Sequence, residues 1–105
     1  LPIYAVFSAN TTHIMAAAAV PRLLAGAAGV LKPGGLLLLY GPFQDGGVHT
    51  AASNAAFDAQ LRGIDPAMGV RDAQLISEQA RDLGLEALAD VAMPANNRTL
   101  IFRRC

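Results

Sequence analysis

The polar side chains able to take part in a reaction fall in a few short segments of this 105-residue chain. Asn10 and His13 lie in one segment, Tyr40 in a second and the pair Asn96-Asn97 in a third. A carboxamide donates and accepts hydrogen bonds, and an imidazole accepts a proton near neutral pH. These groups suit the positioning of a small polar molecule and the removal of a proton from it.

Each of these residues also has a structural interpretation. Asparagine tolerates left-handed turn conformations, which would account for Asn10 and for Asn96-Asn97 without any ligand. His13 is equally interpretable as a structural histidine or a helix-start residue, and Tyr40 as an aromatic side chain at the rim of a sheet. The pair Arg71-Asp72 reads as a turn followed by a helix cap as well as a binding pair. Spacing alone leaves both interpretations open.

Signatures of several common sites are absent from the sequence. The two histidines and Cys105 fit no zinc-ligand spacing, and there is no HExxH motif, so we expect no metal. There is no GxSxG motif and no P-loop. The segment Gly26-Ala27-Ala28-Gly29 falls inside a predicted helix rather than after a strand, which excludes a dinucleotide fingerprint. Hydrolase and nucleotidase functions are therefore disfavoured.

Two short apolar runs predict the strands that carry the first polar segments. Residues 3–9 (IYAVFSA) and 36–40 (LLLLY) have the near-continuous apolar character of parallel strands covered on both faces. Between them, apolar residues at helical spacing from about Ala17 predict a helix, which residues 32–35 (KPGG) end. Strand, helix and strand in this order imply a right-handed parallel crossover.

The second half predicts a loop, two helices and a hairpin. Residues 41–49 are predicted as a loop, and a short helix follows that carries Phe57, Leu61 and Ile64 and that Gly63 helps to end. Asp72 is predicted to cap a further helix that stops at Gly84. The inner face of that helix is expected to carry Leu75, Ile76, Gln79, Ala80 and Leu83.

The chain is predicted to close with an antiparallel hairpin. Residues 85–93 and 99–103 are its strands, and the turn between them begins at Pro94. Ligands bind beyond the carboxyl ends of parallel strands. If the first three strands are parallel, one rim collects Asn10, His13, Tyr40, Asn96 and Asn97. We expect residues 1–105 to form one α/β unit.

Composition limits the partners and the compartment. Eight basic and eight acidic residues give a net charge of zero, which disfavours nucleic acid and anionic membranes as partners. A hydrophobic content of 53% excludes disorder. One cysteine forms no internal disulfide, so the cytoplasm is the expected location. No apolar run reaches the ~18 residues of a membrane helix.

Several motifs together resemble a known family. Residues 31–43 (LKPGGLLLLYGPF) resemble the passage into the fifth strand of class I S-adenosylmethionine-dependent methyltransferases. The combination of further motifs is similar to the methyltransferase-like 26 family, a branch of that superfamily, over essentially the whole chain. These motifs are SANTTHIM (8–15), YGPF (40–43), SNAAFDAQLR (53–62), IDPAMGVRD (64–72) and MPANNRTLIFRR (93–104).

The resemblance implies a fold class. The chain would be the C-terminal half of a Rossmann-like methyltransferase domain, a mostly parallel sheet in the order 4-5-7-6 with a terminal antiparallel hairpin and flanking helices. The glycine-rich cofactor loop and the acidic ribose-binding residue of the family would lie upstream of Leu1. The strand at residues 3–9 would then have an open edge, which invites the missing half or a second copy of the chain.

The resemblance also implies roles for individual residues. His13 would be a general base and Asn10 an orienting group, whereas the cofactor would contact Ser8, Asn10 and Thr11. The acceptor pocket would contain Tyr40, Arg71, Asn96 and Asn97. One departure is visible, because residues 16–19 are alanines where the family has a Trp-Glu pair, which puts any substrate contact from that pair in doubt.

Two functions follow as expectations. The first is an S-adenosylmethionine-dependent methyltransferase acting on a small-molecule acceptor, of which this chain alone would bind the cofactor weakly. The second is a non-catalytic module that dimerises or docks through its open sheet edge.

Overall fold

The computed structural model describes residues 2–105, whose larger sheet has four strands. β1 (Ile3–Ala9), β2 (Leu31–Gly41), β7 (Arg98–Arg104) and β6 (Leu85–Ala92) lie side by side in that order, which is the order 4-5-7-6 of the resemblance. β1 and β2 are parallel, whereas β7 is antiparallel to both β2 and β6. The expectation of a mostly parallel sheet is therefore wrong, and the sheet is mixed. The reason is the short turn before β7, which can join only antiparallel neighbours.

The helix α1 (Ala19–Val30) connects β1 to β2 and agrees with the apolar spacing. Its buried residues include Val20 and Leu24, and Pro21 lies in its first turn, where no partner for its missing N–H is needed. β2 begins earlier than expected because Leu31 already pairs with Ile3. The next pair is Ala5 with Leu36, so residues 32–35 of β2 form a bulge opposite Tyr4 of β1.

The bulge requires glycine at Gly35. A Cβ atom there would lie 2.9 Å from the carbonyl oxygen of Lys32 and 3.1 Å from that of Tyr4. Both contacts are with backbone atoms, which are less able to move than the end of a side chain. The Lys-Pro-Gly-Gly turn is thus set by a close backbone approach at the amino end of β2, away from the predicted site.

The hydrophobic core lies on one face of the sheet. α1 and α3 (Ala73–Asp82) contribute Leu24 and Ile76 to a cluster that includes Leu37, Leu39 and Phe102 of the strands. Side chains of a strand point alternately to the two faces. The core side of β2 is accordingly buried, and the residues between, such as 36 and 38, are only half-buried.

The expectation that the first two strands are covered on both faces is wrong. Tyr4 and Phe7 of β1 are 64% and 63% exposed, and Ile3 is also exposed. β1 is the edge strand of the sheet, so its other side has no hydrogen-bonded strand among residues 2–105. An apolar sequence that would suit a covered strand is here at the surface.

A second, three-stranded sheet occupies the segment expected to be a loop. β4 (Val48–His49), β3 (Phe43–Asp45) and β5 (Arg71–Asp72) lie in that order. Gly46 and Gly47 have φ angles of +59° and +83°, as a tight two-residue hairpin turn requires. β3 is parallel to β5, and Phe43 pairs with Arg71. This sheet thereby brings residue 71 next to the strand that follows β2.

The remaining helices follow the expected positions but not all the expected faces. α2 (Ala52–Ile64) buries Leu61, whereas Ile64 is 71% exposed because the helix ends there, with Gly63 inside it. α3 buries Ile76 and Ala80, but Leu75 is 52% exposed and does not belong to the inner face.

The ends of α3 and of the chain agree with their sequence signals. Asp72 caps α3, since its carboxylate accepts a hydrogen bond of 2.8 Å from the backbone N–H of Gln74. Gly84, with φ +82°, follows that helix. The predicted antiparallel hairpin of β6 and β7 is present. Within residues 2–105, none of the helices is both long and apolar enough to span a membrane.

Candidate functional site

The segment after β1 folds back over the carboxyl end of β2. The backbone N–H of Asn10 donates to the carbonyl oxygen of Tyr40 at 2.8 Å. A Cβ atom on Gly41 would lie 3.6 Å from Asn10 Oδ1 and 3.7 Å from His13 Nδ1, so both side chains face this glycine. The amide and the imidazole that the sequence predicts to act together therefore lie at the same point of the sheet edge.

The imidazole of His13 is buried and incompletely hydrogen-bonded. The residue is 4% exposed, and its Nδ1 atom has no hydrogen-bond partner in the described part of the chain. Its ring meets that of Phe57 edge-on, with 5.3 Å between the centroids. Burial and then the positive charge of Arg71 lower the pKa of His13 below 6.5. A neutral imidazole with a free nitrogen is the state in which a histidine accepts a proton.

Tyr40 and the hairpin turn form a polar cluster beside this imidazole segment. Asn97 Nδ2 donates to the hydroxyl of Tyr40 at 3.1 Å. The turn also touches α2, because Asn54 Nδ2 donates to the carbonyl oxygen of Asn96 at 3.3 Å, and Asn96 Nδ2 donates to Ser53 Oγ at 3.4 Å. The structure thus brings the tips of β1, β2 and the hairpin together at one rim.

The structural interpretation of two asparagines also applies. Asn10 and Asn96 have φ angles of +56° and +60°, in the left-handed region that asparagine tolerates. Asn97, with φ −88°, is not in that region. Backbone conformation alone therefore explains why asparagine occurs at positions 10 and 96. The side-chain amide of Asn97 is instead hydrogen-bonded to the hydroxyl of Tyr40.

Ser8 and Thr11 bind each other. Their two hydroxyl groups form a hydrogen bond that ties the end of β1 to the turn after it. The side chain of Asn10 lies between them in sequence and is exposed. Of the three residues expected to contact a cofactor, only this amide is exposed, while Ser8 and Thr11 are half-buried. The cofactor contacts stay predictions.

Arg71 lies behind the His13 segment and is largely occupied by backbone carbonyls. Its Nε donates to Thr12 O at 3.0 Å, and its Nη2 donates to Met15 O and to Ala67 O, both at 2.7 Å. Three of its five N–H groups are thereby bound within the chain. Its predicted contact with an acceptor has no support in these bonds and remains a prediction.

Sequence reasoning missed Asp58, a buried carboxylate on α2. It accepts the N–H of Val70 at 2.8 Å and Arg62 Nε at 3.1 Å, and its Oδ2 lies 3.3 Å from His49 Nε2. Burial raises the pKa of Asp58, but the hydrogen bonds from Val70, Arg62 and His49 outweigh it and lower that pKa below 3.8. The helical i,i+4 spacing of Asp58 and Arg62 was the one signal for this cluster.

Arg98 is a second residue that the sequence did not single out. Its guanidinium donates to Asp90 Oδ1 at 3.0 Å, to Asp45 Oδ1 at 2.8 Å and to the carbonyl of Phe43 at 3.3 Å. Its hydrogen bonds to Asp90, and then to Asp45, raise the pKa of Arg98 despite its burial. These bonds fasten the hairpin to β3, and so hold the turn that carries Asn97.

A cavity of about 610 Å³ lies against β6 and β7. Its walls come from α3, β6, β7 and the β3–β4 turn, and it contains none of the predicted site residues. Apolar side chains such as Leu100 and Phe102 line it, together with Arg98 and its acidic partners. No metal cluster of His, Cys, Asp or Glu occurs among residues 2–105.

Comparisons with solved structures place the fold. An O-methyltransferase family protein from Burkholderia thailandensis matches 98% of this chain and 30% of its own, with a TM-score of 0.83 and 23% identity. An O-methyltransferase family 2 protein from Planctomyces limnophilus, in complex with apigenin, matches 100% of this chain and 32% of its own, with a TM-score of 0.89 and 15% identity. The chain thus has the α/β fold of methyltransferase domains.

A human protein and a family model complete the comparison. Human N-acetylserotonin methyltransferase, in complex with S-adenosylmethionine, matches 95% of this chain and 29% of its own, with a TM-score of 0.79 and 17% identity. The chain spans about a third of the length of these structures. A family model described as "Protein of unknown function (DUF938)" matches residues 1–104.

Proposed function

The chain belongs to the DUF938 family of proteins of unknown function, and we propose that it forms part of an S-adenosylmethionine-dependent methyltransferase. The observation that carries the proposal is the buried, unpartnered Nδ1 of His13, which faces Gly41 together with Asn10. The methyltransferase fold of the solved structures supports the same activity. The finer assignment to the methyltransferase-like 26 family, on the motifs described above, belongs to this proposal.

The acceptor is proposed to be a small molecule that carries a removable proton. Bound S-adenosylmethionine supplies a methyl group on a positively charged sulfur. The residues of the chain then have to align the acceptor, exclude water and take up its proton. His13 is the proposed general base, and Asn10 the proposed group that orients the reactants. A hydroxyl acceptor fits this base, and solved relatives described as O-methyltransferases support it.

The other rim residues are assigned to the acceptor pocket. Tyr40 and Asn97 are bound to each other at the rim, and Asn96 lies in the same turn. Arg71 belongs to this set as a candidate from the sequence. A phenol and amides that already form a network present fixed donors and acceptors, which favour one orientation of a polar ligand.

The cofactor is proposed to be held only in part by this chain. Ser8, Asn10 and Thr11 are its candidate contacts, and the exposed amide of Asn10 fits the role best. No glycine occurs between β1 and α1, so the glycine-rich loop of a methyltransferase is not the segment after this strand. Most contacts to the methionine and ribose groups must come from another part of the domain.

The proposed partner is therefore the N-terminal half of the domain, which would add a strand along the open edge of β1. A second copy of the chain at the same edge is the other possibility carried forward from the sequence. Neutral net charge continues to disfavour nucleic acid and membranes as partners. A cytoplasmic location is part of the proposal.

A non-catalytic docking module remains the second candidate. The observation that favours it is the exposure of Tyr4 and Phe7 on an edge strand, since exposed apolar strands recruit partners. Sedimentation of the isolated chain tests this function. A concentration-dependent dimer that Phe7→Lys abolishes supports it, and a monomer at all concentrations argues against self-association through β1.

Transfer of a labelled methyl group tests the enzymatic proposal. The protein that carries both halves of the domain is incubated with radiolabelled S-adenosylmethionine and a panel of hydroxylated small molecules. Label is expected in a small-molecule product and absent when the acceptor is omitted. A panel that includes phenols, alcohols and acids and yields no labelled product contradicts methyl transfer to a hydroxyl group.

A further inference from the structure

Residues 67–71 form a brace beneath the turn that carries His13. The backbone N–H of Gly69 donates to the carbonyl oxygen of His13 at 3.0 Å, and that of Ala17 donates to Ala67 O at 3.1 Å. The brace and the turn are far apart in sequence and are joined directly by main-chain hydrogen bonds. The position of His13 therefore depends on the 67–71 segment.

The side chain of Arg71 strengthens this junction. It donates to Thr12 O and Met15 O, on either side of His13, and also to Ala67 O within the brace. Burial and the positive charge of Arg62 lower the pKa of Arg71, so its placement has an electrostatic cost. Charge-assisted hydrogen bonds to three carbonyl groups offset that cost.

The carboxylates near the brace bind groups other than His13, and Asp58 accepts the N–H of Val70 in the brace itself. On α2, Asp58 binds Arg62 and lies within hydrogen-bond distance of His49 from β4. Ahead of the brace, Asp65 Oδ1 accepts the N–H of Ala67. Within residues 2–105, no carboxylate makes a hydrogen bond to His13. Arg71 is the charged group that acts on the His13 imidazole.

We infer that Arg71 is a positioning residue for His13, which fixes the turn around the imidazole and places a positive charge beside it. The catalytic meaning of this inference rests on the proposed function. Burial, and then the cation near the ring, lower the pKa of His13 and so favour the neutral form that accepts a proton. Arg71 thus acts on the base through the turn.

Titration of the histidines by NMR tests the inference on the 105-residue chain. The chain has only two histidines, and His49→Gln identifies the signal of His13. In Arg71→Met, which removes both the charge and the hydrogen bonds, His13 is expected to titrate at a higher pH than in the unsubstituted chain. Arg71→Lys restores the charge and is expected to return the titration toward lower pH.

A matched control uses an arginine elsewhere. Arg81 is exposed at the end of α3, and Arg81→Met is expected to leave the titration of His13 unchanged. An unchanged His13 titration in Arg71→Met, with the backbone spectrum retained, overturns the inference. If Arg71→Met unfolds, Arg71→Gln decides, since it removes the charge and keeps hydrogen-bond donors. A His13 titration at higher pH than in the unsubstituted chain supports the inference, and an unchanged titration opposes it.

The titration separates this inference from the proposed function. It reports on the coupling of Arg71 and His13 without substrate, cofactor or turnover. In an active complete enzyme, the acidic limb of the pH–rate profile is expected to shift to higher pH in Arg71→Met, as the NMR titration does. Absence of methyl transfer would defeat the proposed function and leave the titration result standing.

Discussion

At the residue scale, the polar groups differ in how fully they are satisfied. Asp58 accepts three hydrogen bonds, and Arg98 donates to two carboxylates and a carbonyl, as expected of structural groups. His13 is buried with a free nitrogen instead. A buried polar atom without a partner costs free energy, so its retention is consistent with a chemical role. A free buried nitrogen, which His49 also has, distinguishes His13 from Asp58 and Arg98. The position of His13 beside Asn10 and Gly41 at the rim separates it from His49.

Removal of the Asp58 carboxylate is expected to destabilise the chain. Asp58→Ala leaves the N–H of Val70 and the side chain of Arg62 without their acceptor, which costs about 1–3 kcal/mol of the free energy of unfolding. Urea unfolding measures the change. The exposed Asp82 serves as a control, and Asp82→Ala is expected to change stability by less than about 0.5 kcal/mol. Equal effects of the two substitutions would contradict the role of Asp58.

Stability is also expected to depend on pH through His13. Its pKa in the folded chain lies below the ordinary 6.5, so the unfolded chain binds more protons between the two values. The contribution of neutral His13 to the free energy of unfolding is fully present above pH 6.5. It is lost as the pH falls from there toward the pKa of His13 in the folded chain. Asp58, with its lowered pKa, adds a further loss only below about pH 3.8.

Urea unfolding across pH 5–8 measures this dependence. The free energy of unfolding is expected to fall as pH decreases below 6.5, and His13→Gln is expected to flatten that fall. His49→Gln, the control, retains it, since His13 is unchanged. If the fall survives in His13→Gln and disappears in His49→Gln, then His49, and not His13, causes the pH dependence of stability, which would contradict this prediction.

At the element scale, local signals were sufficient where a turn or a helix is determined by its own residues. The spacing in α1, the cap at Asp72 and the hairpin before β7 were predicted on that basis. The small sheet was missed because β3 and β5 have two or three residues each and are distant in sequence. The exposure of β1 was missed because an apolar run does not indicate what covers it.

The bulge at the start of β2 gives a prediction at this scale. Gly35→Ala places a Cβ atom 2.9 Å from Lys32 O, and is expected to cost about 1–3 kcal/mol of stability through overpacking. Gly26→Ala, inside α1 with no atom within 4 Å of the added Cβ, is expected to stabilise by about 0.5–1 kcal/mol. Thermal unfolding compares them, and a neutral Gly35→Ala would show that the bulge tolerates a side chain.

At the scale of the whole molecule, the chain is an α/β unit with one well-packed face. The order of the large sheet and the rim could be predicted, since resemblance supplied the order and the carboxyl ends of β1 and β2 supplied the rim. The hydrogen bonds of Arg71 and those of Asp58 could not be predicted, because they join residues on separate elements. Those contacts depend on tertiary packing, which a motif in one segment does not predict.

Cofactor binding tests how the site is divided. The proposal assigns only Ser8, Asn10 and Thr11 of this chain to S-adenosylmethionine, so calorimetry on the isolated chain is expected to detect weak binding or none. Tight binding to the 105-residue chain would contradict the proposal that another part of the domain holds most of the cofactor. The complete domain, titrated under the same conditions, is the positive control.

The most direct test of the account is the turnover of His13→Ala in the complete protein. Loss of a general base is expected to lower the rate of labelled methyl transfer about 10²–10⁴-fold. Arg22→Ala, at an exposed position of α1, is expected to retain the full rate. A His13→Ala enzyme that folds and transfers methyl groups at the unsubstituted rate would contradict the role assigned to this imidazole and, with it, the proposed site.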